Sequence, residues 1–238
     1  MRMAARRIGG LSCLVSLSRR PHVLYRSLVA RWAPAGIRPI SEGWSLLVPL
    51  GVAAFLLRRW PLASAALGIV CAAIGWALRD PNRPIVPGSS WLAPADGRVV
   101  SVAAVEDPWI GAAWEIAIFL ALWNVHVQRI PYAARIARIE AVAGGFRPAF
   151  LAGAATNNRQ ILSYETEHGR AVLGLMSGIV ARRIVLWVSA GDQLPRGERI
   201  GMIKFGSRVT LRVPRAFTPL VRPGDAVRAG LTPIARPA

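Results

Sequence analysis

A seven-residue unit that occurs twice is the sequence feature that most restricts the fold. Gly191–Gly197 (GDQLPRG) is matched by Gly224–Gly230 (GDAVRAG), at a spacing of 33 residues. Glycine and aspartate favour turns, and the short segment between the glycines favours an extended strand. Two such units are typical of hairpins that wrap sheets face to face. We therefore expect a β-dominated domain, all-β or α+β, that resembles a flattened, hairpin-wrapped β-barrel or sandwich.

The chain from residue 90 onward alternates short apolar runs with turn residues, a pattern that predicts strands. A Pro-rich stretch, Arg79–Gly88, precedes them, and no helix can continue through it. We place a domain boundary there, with the β-rich domain over residues 80–238. The predicted strands are Gly97–Ala104, Trp114–Leu122, Ala134–Ala143, Gln160–Glu165, Arg170–Leu175 and Arg182–Ser189.

Two apolar runs come before this domain. Trp44–Leu57 has 14 residues and Trp60–Leu78 has 19; neither contains a charge, and two arginines separate them. The second run is long enough to cross a bilayer, whereas the first is several residues short. We expect residues 42–79 to form a helical membrane anchor, as one span, two spans or a hairpin in one leaflet, with residues 44–78 in lipid. A buried helical hairpin of a soluble protein is the alternative.

The first 41 residues contain eight arginines and no acidic residue. No small-residue cleavage site follows their short apolar run, so we expect residues 1–41 to be a basic arm and not a cleaved signal peptide. The formal net charge of +18 suits an anionic membrane or nucleic acid, and the apolar runs favour the membrane. We expect no nucleic-acid partner, because few aromatic residues accompany the arginines for base stacking. Cys13 and Cys71 have no plausible disulfide role, which favours a cytoplasmic domain at the cell membrane.

One strand-like run is interrupted by Gly206–Ser207 and resumes at Val209. By itself a Gly-Ser pair is an ordinary turn. It also has the composition for self-cleavage, because the hydroxyl of Ser207 can attack the carbonyl of Gly206. Glycine lacks Cβ and can enter the strained backbone that this attack requires.

Two further residues supply the groups that such an attack needs. His126, in the segment NVHVQRIP, has a side chain whose pKa is ordinarily near neutrality, which suits a general base. Asp96, in the segment PADG, can orient that base as in a Ser-His-Asp arrangement. Their structural alternatives are a packed histidine and an aspartate that closes a turn.

Together these segments resemble the short form of the phosphatidylserine decarboxylase proenzymes. The resemblance covers residues 42–214 and is strongest in Ile200–Val209 combined with Asn124–His126. It implies conversion of phosphatidylserine to phosphatidylethanolamine and CO2 in phospholipid biosynthesis, after a cut between Gly206 and Ser207. It also implies a covalent pyruvoyl group at Ser207 as cofactor, and a large chain (1–206) and a small chain (207–238) that stay associated.

The residue types agree with this chemistry. Removal of CO2 from an α-amino acid leaves a carbanion, which needs an electron sink. The sequence has no glycine-rich phosphate loop, and His126 and His168 have no partners at metal-ligand spacing, so we expect neither a nucleotide nor a metal. His168 is expected to be exposed on a hairpin tip. Attack by Ser207 gives an ester; loss of its α-proton then expels the acyl oxygen, and the dehydroalanine that remains hydrolyses to pyruvoyl and ammonia.

The resemblance also suggests substrate-binding residues, with two departures from the family pattern. Longer members carry a second histidine three residues after the first, where this chain has Arg129. Either His126 therefore takes the role of general base, or Asp96 and water suffice for it. Asn157-Asn158-Arg159 stands where an Asn-Glu-Arg or similar triplet is usual. The predicted substrate-binding residues are Arg208, Arg129 and Asn157.

A carrier domain is the main alternative to an enzyme. The two Gly-Asp units are also found in biotinyl and lipoyl domains, and Lys204 is the single lysine of the chain. A membrane-tethered carrier modified at Lys204 would use both features. The residues beside Lys204 are not the acidic and small residues that usually flank such a target.

Overall fold

The computed structural model describes residues 38–39, 41–85, 87–145, 156–178, 183–204 and 207–238. The chain divides into two compact units, Met1–Ala33 and Pro34–Ala238, and all described residues belong to the second. The predicted basic arm therefore lies almost entirely outside the described residues.

The described residues form two helices and sixteen strands. The helices are α1 (Ser41–Leu56) and α2 (Pro61–Ala77). The strands are β1 (Arg38–Pro39), β2 (Arg79–Asp80), β3 (Trp91–Leu92), β4 (Gly97–Asp107), β5 (Gly111–Leu120), β6 (Val127–Arg129), β7 (Ala134–Val142), β8 (Arg159–Thr166), β9 (Gly169–Met176), β10 (Ile184–Leu186), β11 (Gln193–Leu194), β12 (Arg199–Ile203), β13 (Ser207–Pro214), β14 (Phe217–Pro219), β15 (Ala226–Val227) and β16 (Pro233–Pro237).

The two helices form an antiparallel hairpin. Pro61 begins α2, at a position where its missing N–H costs nothing. The hydroxyl of Ser64 donates to the carbonyl of Ala54 at 2.9 Å, which joins the helices next to the turn. Apolar side chains such as Phe55 and Leu62 remain exposed on the hairpin. Within the described residues, no helix has the length and apolar character to cross a membrane.

The strands pair antiparallel in four sheets. The largest is an open sheet of eight strands in the order β11-β7-β8-β9-β13-β5-β4-β15. Two three-stranded sheets, β10-β12-β6 and β14-β16-β3, and the pair β1-β2 complete the set. One buried cluster draws on all three larger sheets, with members such as Leu211 of β13, Ile203 of β12 and Ile234 of β16. Burial of each such aliphatic side chain stabilises the fold by about 1.5–3 kcal/mol.

The strand order shows two equivalent halves. Strands β6 to β12, taken in sequence, occupy the same places as β3, β4, β5, β13, β14, β15 and β16. The turn Glu167-His168 joins β8 directly to β9, whereas their counterparts β5 and β13 are joined by the whole of the other half. One half is therefore inserted into the other at the tip of a hairpin.

The repeated Gly-Asp units hold corresponding positions in the two halves. The amide of Gly191 donates to Ile136 at 2.7 Å, and the amide of Gly224 donates to Val99 at 2.8 Å. Both glycines have positive φ values, 89° and 100°, which favour glycine over residues with a Cβ. Asp225 accepts the amide of Arg222 through its side chain, as Asp192 does for Ser189. The repeat in the sequence is thus a repeat of turn and strand geometry.

The structure confirms a β-dominated domain. Within the described ranges its largest sheet is open, with β11 and β15 at the edges, so these strands do not form a closed barrel. Five of the six predicted strands agree with observed strands to within a few residues. The sixth, Arg182–Ser189, is reduced to β10, and its first residue lies outside the described residues. The membrane anchor and the domain boundaries stay predictions.

Candidate active site

The candidate site is centred on the start of β13, where Ser207 begins the strand. Its backbone pairs with that of Leu120, the last residue of β5. On the other side of β13, Arg208 pairs with Met176, the last residue of β9. β13 is therefore held between two strands from its start, in the middle of the sheet. Gly206 lies outside the described residues.

His126 lies on the connection from β5 to β6, beside the end of β12. Its carbonyl accepts the amide of Ile203 at 3.2 Å, four residues before Ser207. The imidazole is fully buried, and its Nδ1 lies 3.1 Å from the carbonyl of Ala77 at the end of α2. A carbonyl only accepts, so Nδ1 carries the proton in this bond. A neutral ring in this tautomer carries its lone pair on Nε2.

Burial lowers the pKa of His126 below its usual value. Hydrogen bonds to the backbone of Ala77 and Asn124 offset part of this effect, because they favour the protonated ring. The ring is thus neutral at pH 7, the form that a general base requires.

Asp96 lies at the same end of the sheet but is bonded to other groups. Arg83 donates two hydrogen bonds to its carboxylate, at 2.5 and 2.7 Å, and the amide of Ala229 donates a third at 2.8 Å. No hydrogen bond joins Asp96 to His126 in the described part of the chain. The charge of Asp96 acts on His126 only at longer range, where it raises the histidine pKa slightly. The orienting role of Asp96 stays a prediction.

Arg129 is buried, and the strand pairing places it away from Ser207. It pairs with Arg199 at the beginning of β12, whereas Ser207 follows the end of that strand. Its guanidinium donates to the carbonyls of Gly197 at 2.9 Å and Pro81 at 3.3 Å. Burial, together with the nearby Arg199, lowers its pKa to about 10. These contacts connect β6 to the segment that leaves the helical hairpin.

Asn157 is buried beside the end of β9. Its Nδ2 donates to the carbonyl of Ser177 at 2.9 Å. The amide and hydroxyl of Ser177 in turn donate to the carbonyl of Asn158, at 2.9 and 2.8 Å. Ser177 follows Met176, so one further step of the register brings it opposite Ser207. Asn157 therefore fixes the backbone next to the start of β13.

Arg208 is half-buried and next to Ser207. Its Nε is buried and has no hydrogen-bond partner in the described residues. A guanidinium in this state attracts an anionic group, because burial of an unpaired polar atom costs free energy. No cluster of three or more histidine, cysteine, aspartate or glutamate residues within the described ranges has the geometry to hold a metal ion.

The model of the phosphatidylserine decarboxylase family matches residues 71–235, well over half of the chain. The chain belongs to this family. It is 42% identical over 211 residues to a phosphatidylserine decarboxylase proenzyme of Symbiobacterium thermophilum, covering 84% of this chain and 96% of the relative. It is 40% identical over 183 residues to one of Chlorobium luteolum (74% and 86%), and 37% identical over 206 residues to one of Paraburkholderia phymatum (82% and 94%).

These matches confirm the resemblance and the decarboxylase activity that the sequence predicted. The names of the relatives also agree with synthesis of the enzyme as a proenzyme. The alternative of a carrier domain modified at Lys204 has no support in them. In the structure Lys204 directly follows β12, and its backbone amide donates to the carbonyl of Arg183 at 3.2 Å.

Two residues of the candidate site were not found from the sequence. Arg83, which binds Asp96, lies in the Pro-rich stretch after the helical hairpin, where no local pattern distinguishes it. Ser177 directly follows a predicted strand. Only the pairing of β9 with β13 shows that it lies opposite Ser207.

Proposed function

We propose that this decarboxylase converts phosphatidylserine to phosphatidylethanolamine and CO2, using a pyruvoyl group formed from its own Ser207. The family match and the names of the relatives support the substrate. The formation of the pyruvoyl group from Ser207 is supported by one observation: Ser207 begins a central strand, and the backbone of His126 is hydrogen-bonded to the end of the preceding strand. A cut between Gly206 and Ser207 leaves the new terminus fixed in the sheet.

In this proposal, His126 is the base of the self-cleavage step. It accepts the proton of the Ser207 hydroxyl as the oxygen adds to the carbonyl of Gly206. A buried ring with a lowered pKa is available in the neutral form, and its bond to Ala77 fixes its orientation. Asp96 supports the ring through its charge, and its hydrogen bonds hold Arg83 and Ala229 in place.

The two chains that the cut produces remain associated through strand pairing. In the small chain, β13 pairs with β5 and β9, β15 pairs with β4, and β16 pairs with β3, all of which belong to the large chain. The apolar face of β13, with Val209, Leu211 and Val213, is fully buried in the shared core. Separation of the chains would therefore require unfolding of the domain.

The pyruvoyl group supplies, once formed, the electron-withdrawing carbonyl that decarboxylation of an amino acid needs. Arg208, whose buried Nε has no hydrogen-bond partner among the described residues, is the residue that we assign to an anionic group of the substrate headgroup. The contacts of Asn157 and Arg129 favour positioning roles over substrate contact. Asn157 fixes Ser177, and Arg129 holds the segment at Pro81.

We further propose that the helical hairpin holds the enzyme at the cell membrane, with the domain from residue 80 onward on the cytoplasmic side. Its exposed side chains include Phe55, Leu62 and Ile69, which would otherwise contact water. A lipid substrate keeps its acyl chains in the bilayer, so an enzyme that reaches the headgroup benefits from an apolar attachment close to the site.

Denaturing mass spectrometry of the purified full-length protein tests the cleavage. The wild type should give two chains, residues 1–206 and 207–238; the small chain has 32 of the 238 residues, or about 3.5 kDa of the 25.7 kDa total. Ser207→Ala should remain one inactive chain, and Ser101→Ala, on β4 of the same sheet, should be cut normally. An intact wild-type chain with an unmodified Ser207 and full decarboxylase activity would contradict the proposal.

A further inference from the structure

The end of α2 lies directly against the segment that contains His126. A helix leaves its last carbonyl groups without partners inside the helix, so other groups must satisfy them. Here the imidazole of His126 donates to the carbonyl of Ala77 at 3.1 Å, and Arg79 donates to the carbonyl of Trp76 at 2.7 Å. Arg79 also donates to the carbonyl of Trp123 at 3.2 Å. The connection from β5 to β6 is therefore bonded to the helical hairpin at two points, Trp123 and His126.

A small buried cluster holds this helix end in place. Leu78, which directly follows α2, is fully buried. It belongs to a cluster with Val125, Val127 and Met202, distinct from the main core. Met202 lies on β12, and the two valines are the neighbours of His126 in the chain. The contacts that hold the helix end therefore also hold the backbone on both sides of the histidine.

Among the described residues, the charged groups that act on the imidazole of His126 are Arg79 and Asp96. Asp96 is paired with Arg83. The guanidinium of Arg79 lies over the ring of Trp76 at 4.1 Å, beside the end of α2. Burial is the main cause of the lowered pKa of His126, and the positive charge of Arg79 lowers that pKa further. Arg79 thus favours the neutral ring that a general base requires.

We propose that the end of α2 is part of the self-cleavage site, with the carbonyl of Ala77 and the side chain of Arg79 as positioning groups for His126. The carbonyl keeps the proton of the neutral ring on Nδ1, so the ring accepts the proton of the Ser207 hydroxyl through Nε2. Arg79 holds the helix end against the loop before the histidine. The inference rests on the proposed function and adds a requirement to it: efficient self-cleavage needs the helical hairpin packed against β6 and β12.

The rate at which the full-length chain cuts itself after cell-free synthesis tests the position of the helix end. Leu78→Ala loosens that end, and a misplaced reacting group typically costs about 10²-fold, so self-cleavage should slow by about that factor. Leu62→Ala, at an exposed leucine near the start of α2, is the matched control and should leave the rate unchanged. In a His126→Ala background, Leu78→Ala should cause no further slowing, because residues that act as a unit are not additive. Equal slowing in both backgrounds would overturn the inference, since Leu78 would then act only on the fold.

The pH profile of self-cleavage tests Arg79. Removal of its charge raises the pKa of His126, so Arg79→Gln should begin to slow at a higher pH than the wild type as the pH falls. Arg79→Lys keeps the charge and should keep the wild-type midpoint. Arg58→Gln is the matched control, because Arg58 lies over the ring of Phe55 at 4.8 Å at the other end of the hairpin. The same midpoint in Arg79→Gln and Arg58→Gln would overturn the role of Arg79.

Nitrogen NMR of the histidine rings in the uncut Ser207→Ala chain measures the contact independently of cleavage, with Ser207→Ala/His126→Asn to assign the signals. The ring of His126 should carry its proton on Nδ1, and Leu78→Ala should weaken that preference. A ring protonated on Nε2 would overturn the inference even if the wild type cuts itself normally. A ring protonated on Nδ1 in a protein whose wild type never cuts itself would instead refute the proposed function, and with it the role of the helix end in that reaction.

Discussion

Replacement of Arg83 with glutamine should destabilise the folded domain, because it removes contacts to Asp96 and to Ala229 in the C-terminal segment. The side chains of Arg83 and Asp96 are only 7% and 10% exposed, and two hydrogen bonds join them. The same guanidinium donates to the carbonyl of Ala229 at 2.6 Å. Glutamine is shorter and uncharged, so Asp96 would keep only the amide of Ala229 as a donor among the described residues.

The magnitude follows from the burial of this pair. Removal of one partner of a buried ion pair typically costs about 3–5 kcal/mol, because the other charge is left without compensation. The amide of Ala229 remains, so we expect a loss of about 3 kcal/mol, at the lower end of that range. Asp96→Asn should cost a similar amount. The double variant has no uncompensated charge and should lose about 2 kcal/mol less than the sum of the two.

Urea unfolding of all four combinations measures these free energies. The Ser207→Ala background keeps the protein as one chain, so unfolding does not depend on dissociation of two chains. Arg222→Gln, at an exposed arginine, is the control and should change stability by less than about 0.5 kcal/mol. Additive losses in the double variant, or a loss below about 1 kcal/mol in Arg83→Gln, would refute the reasoning, because solvent would then be replacing the buried contacts.

Two further predictions concern the site, and a third concerns the packing of β4 against β5. His126→Ala should slow the appearance of the small chain by about 10²–10⁴-fold on denaturing gels, the contribution of a positioned base; unchanged kinetics would exclude that role. Burial lowers the pKa of His126 below 6.5, so the rate of wild-type cleavage should stay constant as the pH falls through 6.5 and should decrease only near the lowered pKa. The free energy of unfolding should decrease as the pH falls below 6.5, because the histidine of the unfolded chain binds a proton before that of the folded chain does. Gly97→Ala should lower Tm, because the new Cβ would lie 2.1 Å from the carbonyl oxygen of Phe119. Gly51→Ala is the control, because a Cβ at that position meets no atom within 4 Å. An equal Tm for the two variants would contradict the clash.

Local turn chemistry explains why much of the fold could be predicted from the sequence. The Gly-Asp units specify their own geometry, through positive φ at Gly191 and Gly224 and a carboxylate that accepts a nearby amide. Ser207 and His126 could be singled out as candidates for a similar reason, because each belongs to a recognisable local segment, and their roles stay predictions. Their partners were harder to find. The bond of Arg83 to Asp96 and the place of Ser177 depend on which distant strands pair, and no short pattern records that.

Two interpretations of single residues show the same limit. His168 was predicted to be exposed on a hairpin tip. The turn is present, but the imidazole lies against other side chains. Its Nε2 is 3.0 Å from the hydroxyl of Tyr132, and the centroid of its ring is 5.7 Å from the centroid of the Phe217 ring. Arg129 was predicted to bind substrate because of its place in the motif. Its observed partners are the carbonyls of Gly197 and Pro81 and, at 3.7 Å, the carboxylate of Asp80, in segments that come close only in the folded chain; the substrate-binding role stays a prediction.

The insertion of one seven-stranded half into the other has a consequence for self-cleavage. An enzyme that makes its cofactor from its own backbone must sever that backbone, and in most positions a break would leave loose ends. In the proposed reaction the break falls at one of the two joints between host and insert, and it divides none of the strands that the described residues form. The ends of β5 and β13 already lie side by side through the pairing of Leu120 with Ser207, independently of the covalent path that joins them. If the cut is made as proposed, the new terminus at Ser207 is as rigid as a residue in the middle of a sheet, and the pyruvoyl group that we propose there needs no further loop to hold it.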